Sequence, residues 1–222
     1  MSVAQAKALL QRANAKRARG DWATYVALLS AASDLGLPEA QENLGAWCLE
    51  GIRDSSGRWL LRCSPRRAVR LLSSAAQANN KAAMFTLGYC HDVGLGVGAD
   101  AAQALRWYRR AARAGVVEAT MNMAVKYAEL GNVQASRRWL RRAADQGHPE
   151  ARLEIAKSVV FGRYPKKRKQ AAIGELRKLA RLELEPEASE AKLALADAYR
   201  CGAGVKKSER MSSAWRSKAK TG

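Results

Sequence analysis

The chain has 222 residues, enough for one or two domains or for a single repeat array, and its formal net charge is +19 at pH 7. Hydrophobic residues make up 48% of it and aromatic residues only 6%, and much of the apolar fraction is alanine, the strongest helix former. Runs of Val, Ile and Thr are nearly absent, which argues against a sheet, so we expect an all-α protein.

The sequence also carries expectations about the compartment. No apolar run approaches the length of a membrane-spanning helix, and no secretory signal is recognisable at the amino terminus. None of the four cysteines belongs to a C-x-x-C pair, and the two histidines offer no zinc-site spacing. We therefore expect a reduced, cytoplasmic protein that holds no metal and no other cofactor.

Residues 1–37 predict a degenerate helical hairpin at the start of an array. A first helix is expected from residue 3 to about residue 19. Residues 20–40 then align without a gap on residues 131–151, so that Leu28 takes the place of Trp139. Because the first helix lacks the motif of the later copies, we expect it to cap the array.

Five further copies of one helical hairpin follow. Each begins with an alanine four residues before an apolar residue, which places both residues on one face of a helix. The whole chain, 1–222, is therefore expected to be a single repeat domain of about six hairpins. The predicted copies after the degenerate hairpin span residues 38–79, 80–115, 116–147, 148–186 and 187–222.

The copy at 80–115 is the most complete. Three glycines, at positions 94, 96 and 98, break the chain between its two helices. They follow a helix rather than a strand and lack a Gly-Lys-Ser/Thr ending, so we interpret them as a connecting loop and not as a phosphate cradle. The residues expected to face inward are Ala83, Leu87, Gly88 and His91 on the first helix and Ala104, Trp107, Ala111 and Ala112 on the second.

The copies differ most in their loops. The copy at 38–79 carries seven extra residues in the loop 51–63, and an insertion on a regular repeat often has a function. Trp59 in that loop is either a partner contact or a plug over the neighbouring core, and the plug is favoured because large aromatic side chains are mostly buried. The copy at 116–147 lacks the glycine loop, and the loop of the following copy is strongly basic.

Two copies resemble the Sel1-like repeat, a relative of the tetratricopeptide repeat with a longer loop between its helices. The resemblance implies a right-handed α/α superhelical solenoid. It also implies a non-enzymatic adaptor, such as an assembly scaffold, a signalling partner, or an immunity or accessory protein of a bacterial secretion system. The matching residues are Leu87-Gly88, Gly94-x-Gly96-Val97, Asp100, Ala104, Trp107, Ala111-Ala112, Gly115 and Ala119 in one copy, and Leu195-Ala196, Tyr199, Gly202-x-Gly204-Val205, Trp215 and Ala219 in the other.

In such solenoids the first helices line the concave surface, which is the usual partner groove. If positions 87, 88 and 91 pack inward, positions 86, 89 and 90 and their equivalents face this groove. Trp47 and Tyr89 are then either interface anchors or residues that pack against the next hairpin, and both interpretations stay open. The predicted groove residues are Asn43, Trp47, Thr86, Tyr89, Asn122, Lys126, Glu154, Lys157 and Asp197.

Basic residues are concentrated between positions 101 and 181, which hold 19 Lys and Arg against 6 Asp and Glu. Arginines recur on the predicted second helices and form a ladder on the convex face or its edge. The ladder is either an anion-binding face for RNA, DNA or an acidic protein, or a solvated face whose aliphatic stems cover alanine-rich helices. Its members are Arg106, Arg109, Arg110, Arg113, Arg138, Arg141 and Arg142.

No residue set for catalysis is recognisable, because the chain has no HExxH or GxSxG motif and no nucleophile beside a plausible base. The predicted function is a non-enzymatic cytoplasmic scaffold that binds a protein partner in the concave groove. The net charge favours an acidic partner, as for a bacterial immunity or secretion-accessory protein that meets an acidic effector. The alternative is a nucleic-acid-binding module that uses the arginine ladder, and a small-molecule ligand is not expected.

Overall fold

The computed structural model describes residues 3–182 and 186–220, and helices dominate these residues. The all-α repeat fold predicted from the sequence is confirmed, with one two-stranded hairpin among the helices. The elements in chain order are α1 (Val3–Ala18), α2 (Trp22–Asp34), α3 (Pro38–Glu50), β1 (Ile52–Arg53), β2 (Trp59–Leu61), α4 (Pro65–Gln77), α5 (Lys81–Val93), α6 (Ala101–Arg113), α7 (Val117–Glu129), α8 (Val133–Asp145), α9 (Pro149–Phe161), α10 (Lys166–Leu179), α11 (Glu187–Cys201) and α12 (Glu209–Lys220).

The chain divides into two compact units, Met1–Lys126 and Tyr127–Gly222. We call them unit 1 and unit 2. The boundary between them falls inside α7. The expectation of one repeat domain over residues 1–222 stays a prediction.

Aspartate and asparagine side chains start several of the helices. In unit 1 the Asp100 carboxylate accepts hydrogen bonds from the N–H groups of Ala102 and Gln103, at 2.9 and 3.0 Å. Asn80 caps α5 in the same manner, and Asn132 caps α8 in unit 2. These caps satisfy N–H groups that have no partner in the first helical turn, so they fix where each helix begins.

In unit 1 a glycine on the first helix of a repeat lets the second helix come close. A Cβ atom on Gly88 would lie 2.7 Å from the ring of Tyr108, and one on Gly45 would lie 2.9 Å from Leu72. Tyr108 is fully buried whereas Trp107 is half-buried, so the prediction that Trp107 faces inward is wrong by one residue. Of the other residues expected to face inward, His91 is half-buried. The rest are buried, namely Ala83, Leu87, Gly88, Ala104, Ala111 and Ala112.

The glycine loop of a repeat packs on the start of an earlier second helix. In unit 1 a Cβ atom on Gly96 would lie 2.3 Å from the carbonyl oxygen of Pro65, the first residue of α4. Gly96 also has a φ of 76°, which only glycine adopts readily. In unit 2 a Cβ atom on Gly204 would lie 2.8 Å from that of Lys169 on α10. The loop therefore connects two hairpins as well as two helices.

The inserted loop of the first full repeat folds into the antiparallel strands β1 and β2, which the low Val, Ile and Thr content did not predict. Ile52 and Leu61 pair across this hairpin, and both are buried. Trp59 is 38% exposed; its ring lies against Gly51, and the Arg53 guanidinium stands 3.8 Å from the ring centroid. The ring therefore covers the backbone of its own loop, and the prediction that it plugs the neighbouring core is wrong.

Unit 2 contains the helices α8 to α12, and apolar residues of α9, α10 and α11 form one buried cluster in it. Trp215 of α12 packs against this cluster and is half-buried. Residues 149–179 therefore form a helical hairpin with a substantial core, although the loop between the two helices is strongly basic. The largest fully buried side chains of the cluster are those of Leu153, Val160, Leu176, Leu179 and Leu195.

Candidate partner-binding surfaces

Three large apolar side chains are exposed on α5 and on the part of α7 that belongs to unit 1. Tyr89 and Val93 lie on successive turns of α5 and are 45% and 54% exposed. Val125 on α7 is 44% exposed and occupies the repeat position that Tyr89 occupies on α5. We call these three residues the apolar face. Grouped exposed apolar side chains mark interaction surfaces, whereas single ones are common on any protein.

A polar network links α5, α6 and α7 beside the apolar face. The Tyr108 hydroxyl donates to Asp92 Oδ2 at 3.2 Å, and the Asn122 side chain hydrogen-bonds the same hydroxyl. Lys126 Nζ pairs with Asp92 Oδ1, and the lysine side chain is only 13% exposed. Burial raises the pKa of Tyr108, so the hydroxyl keeps its proton as a donor. The predicted groove residues Asn122 and Lys126 thus lie in contacts that hold the helices together.

Trp47 of α3 forms an aromatic cluster with Trp22 and Tyr25 of α2. The Trp47 indole N–H donates to the Tyr25 hydroxyl at 2.9 Å, and its ring meets Trp22 edge-to-face with the centroids 5.8 Å apart. Trp22 also contacts Tyr25 at 5.8 Å. Trp47 therefore packs within the chain, but its contacts are with α2, the helix that precedes it, whereas the packing interpretation expected the next hairpin. Sequence reasoning did not identify Trp22 or Tyr25 as its partners.

The remaining groove candidates of unit 1 bond to their own helices. Asn43 Nδ2 donates to the Glu39 carbonyl at 2.8 Å, and Thr86 Oγ1 donates to the Ala82 carbonyl at 3.1 Å. Cys90, which was expected to face the groove, is buried, and burial raises the pKa of its thiol to about 11. The prediction for Cys90 is wrong, because the buried side of α5 includes position 90 as well as positions 87 and 88.

In unit 2 the groove candidates pair with one another and with nearby charges. Lys157 Nζ lies 2.7 Å from Glu154 and 3.2 Å from Glu190. The hydrogen bond to Glu154, together with that to Glu190, raises the pKa of Lys157. Asp197 meets Arg200 at 3.0 Å and Arg216 at 3.3 Å. These candidates form ion pairs at the surface.

The members of the arginine ladder differ in their exposure. In unit 1, Arg110 is half-buried and donates to the Ala76 carbonyl at 3.2 Å and to Asn79 Oδ1 at 3.3 Å. Arg110, on the second helix of the following repeat, therefore donates to a carbonyl at the carboxyl end of α4 that has no partner within its own helix. The exposed ladder residues are Arg106, Arg109 and Arg113 on α6 and Arg138, Arg141 and Arg142 on α8.

A tryptophan and a cation three residues later form a recurring pair on the second helices. The Arg110 guanidinium stands 4.7 Å from the Trp107 ring centroid, and Arg142 stands 5.4 Å from Trp139. Lys218 Nζ repeats the arrangement over Trp215 at 4.8 Å. Such contacts stabilise a cation over an aromatic face. The regular W-x-x-[R/K] spacing was visible in the sequence and could have identified these cations as packing residues.

The family of the chain follows from comparison with protein-family models. The model described as the Sel1 repeat matches residues 38–80, 81–116, 118–148 and 189–219, which is more than half of the chain. The chain belongs to the Sel1 repeat family. The resemblance seen in the sequence is thereby confirmed, and the Sel1 repeat fold is typical of non-enzymatic protein-interaction scaffolds.

Solved structures of Sel1-like proteins have the same fold. A protective antigen of uropathogenic Escherichia coli matches 97% of this chain over 46% of its own length, with a TM-score of 0.79 and 23% identity. A Sel1 repeat protein of Oxalobacter formigenes matches 89% over 55%, with a TM-score of 0.69 and 28% identity. This Sel1 repeat chain therefore spans about half the length of each.

A more distant match is an immunity protein of Pseudomonas aeruginosa, at 19% identity over 82% of this chain and 64% of its own, with a TM-score of 0.49. A similarity of that size supports no inference about the role of this Sel1 repeat chain. A search of curated protein sequences finds no match.

The described part of the chain shows neither a membrane-spanning helix nor a metal-binding cluster. No helix there has both the length and the apolar character needed to cross a bilayer. The same residues contain no group of three or more His, Cys, Asp or Glu side chains placed to hold a metal ion.

Proposed function

We propose that this Sel1 repeat protein is a non-enzymatic cytoplasmic adaptor that binds a protein partner on the apolar face of unit 1. The observation that supports the proposal most is the exposure of Tyr89 and Val125 at equivalent groove positions of neighbouring repeats, with Val93 exposed one turn after Tyr89. The adjoining charges of Asp92 and Lys126 neutralise each other, so apolar groups can be covered there without leaving an unpaired charge. Tyrosine is among the residues that contribute most to binding at interfaces.

The partner is proposed to be acidic, because the chain carries a net charge of +19 that attracts and steers anionic proteins. An acidic bacterial effector, with this chain as its immunity or secretion-accessory protein, fits both the charge and the scaffold fold. In this proposal the apolar face supplies the central contacts. The exposed arginines elsewhere on the chain raise the rate of association and make it sensitive to salt.

Affinity capture from a nuclease-treated lysate, followed by mass spectrometry, would identify the partner, and titration with the purified partner would locate the site. Val93→Asp is expected to weaken binding by about 2 kcal/mol, roughly thirtyfold, because a charge would be buried at the interface. Val133→Asp in unit 2 is the matched control, since Val133 is also 54% exposed. Equal weakening by both substitutions would rule out the apolar face.

A second candidate function is nucleic-acid binding by exposed ladder arginines. Arg106, Arg109 and Arg113 lie at i, i+3 and i+7 and so share one side of α6, on which no acidic residue stands between Ala101 and Arg113. Binding to a labelled RNA or DNA oligonucleotide should weaken steeply with salt, and reversal of these arginines to Glu should reduce the salt slope. A slope that the reversals leave unchanged would exclude α6 as the site.

A further inference from the structure

A cleft of about 560 Å³ opens in unit 2 between α8, α9 and the loop that leads into α10. Four exposed arginines line it: Arg137 and Arg141 from α8, Arg163 from the loop, and Arg168 from the first turn of α10. We call it the basic cleft. Only Arg141 belongs to the predicted ladder; the fold brings the basic loop of the next repeat alongside it.

Few carboxylates lie among the residues that line the basic cleft. Glu154 is the one carboxylate among the described lining residues, and it pairs with Lys157 at 2.7 Å. No described carboxylate forms an ion pair with any of the four arginines. Guanidinium groups that converge without acids present several donors suited to bidentate contact with carboxylates.

The remaining walls of the cleft are aliphatic. Leu140 and Ile155 are half-buried, and Val159 is buried. Val159 belongs to the core cluster of unit 2, and Ile155 packs against it. A ligand that combines carboxylates with an aliphatic side chain would match both parts of this lining.

The aromatic ring in the cleft already has a partner. The Arg168 guanidinium stands 4.5 Å from the Tyr164 ring centroid. The same ring packs against Gly162, where a Cβ atom would lie 3.0 Å from it. Tyr164 is the only aromatic residue among the described lining residues. A nucleobase would therefore have to displace Arg168 to stack there, which favours a peptide over a nucleic acid.

We propose that the basic cleft binds an acidic peptide segment of a protein partner. Arg137, Arg141 and Arg163 hold its carboxylates, Arg168 completes the rim, and one aliphatic side chain lies on Leu140, Ile155 and Val159. This second site belongs to unit 2 alone and does not require the apolar face of unit 1. The inference rests on the acidic partner proposed above, and it places the carboxylates of that partner in the basic cleft.

The test is a fluorescence anisotropy titration of the full chain with a labelled peptide made of Glu-Glu-Leu repeats. The Arg141→Glu/Arg163→Glu variant is expected to lose affinity by about tenfold or more, because two attractive contacts become repulsive. The matched control is Arg106→Glu/Arg113→Glu, which changes the net charge by the same amount in unit 1. Affinity in the control should fall by much less.

Three further measurements keep the outcome decisive. The neutral variant Arg141→Gln/Arg163→Gln should also weaken binding. Circular dichroism would verify that this variant is helical, so that its loss of affinity cannot come from misfolding. A peptide with Gln in place of Glu should not bind, and Val93→Asp should bind the acidic peptide as the native chain does. The proposal is overturned if both double reversals cause the same loss, if the native chain does not bind the acidic peptide at low salt, or if a uridine oligonucleotide binds more tightly through the same arginines.

Discussion

Tyr108 lies over Gly88, and a methyl group at position 88 would meet the ring at 2.7 Å. Gly88→Ala is expected to destabilise the chain by about 1–3 kcal/mol, because the added atom overpacks a buried contact. Urea unfolding followed by far-ultraviolet circular dichroism measures the change. Gly174→Ala is the control, since Gly174 lies within α10 with open space around its Cβ position. There alanine should stabilise by about 0.5–1 kcal/mol, and a shift of the same sign in both variants would contradict the packing argument.

The raised pKa of Cys90 leads us to expect that the stability of the chain decreases at alkaline pH. Burial raises the pKa of its thiol from the ordinary 9.0 to about 11. The folded chain therefore keeps this proton where the unfolded chain releases it, so the contribution is complete below pH 9 and is lost as pH rises from 9 to 11. Burial of Tyr108 acts in the same direction. Cys90→Ala should flatten this decrease in denaturant midpoints, whereas replacing the exposed Cys201 should not; identical pH profiles would refute the assignment.

At the scale of elements, α6 is tied to α4 by Arg110, the cation that follows Trp107. Arg110 on α6 satisfies the Ala76 carbonyl at the end of α4 while it stacks on Trp107. Arg110→Ala should therefore cost about 1–2 kcal/mol, whereas Arg113→Ala, at an exposed position, should stay within about 0.5 kcal/mol. Thermal or urea denaturation distinguishes them. If the two variants are equally stable, the link between α4 and α6 contributes nothing.

The helices were predictable from the sequence because their signals are local. Alanine spacing, Asp and Asn caps and loop glycines all act within a few residues of one another. The choice between Trp107 and Tyr108 was not local, because it depends on how a ring fits over Gly88 on another helix. The β1–β2 hairpin was missed for a related reason: an average composition conceals a short pair of strands within one inserted loop.

Candidate surfaces were less predictable than helices. Tyr89 was identified by repeat position, and the structure leaves it exposed. Asn122 and Lys126, chosen by the same rule, instead join Asp92 and Tyr108 in a network that no single repeat encodes. The basic cleft was hidden for the same reason, because Arg141 and Arg163 come from different repeats and meet only after folding.

At the scale of the whole molecule, 39 Lys and Arg face only 20 Asp and Glu. Repulsion among these cations opposes the compact state, and dissolved salt screens it. The melting temperature should therefore rise as sodium chloride is increased from low to physiological concentration. Arg106→Glu/Arg113→Glu, which lowers the net charge, should show a smaller rise. A melting temperature that falls with added salt would mean that attractive ion pairs outweigh the repulsion.

The contact between Gly96 and Pro65 bears on how this repeat could be transplanted. Because the loop of one copy rests on the helix start of the copy before it, the segment that repeats in sequence is not the segment that closes in space. A chimera cut at residues 80–115 would separate Gly96 from the surface that made glycine necessary. A donor segment that begins at Pro65 and continues past Gly96 would keep both sides of the contact. The natural building block for protein engineering is therefore shifted by half a repeat from the one that the sequence displays.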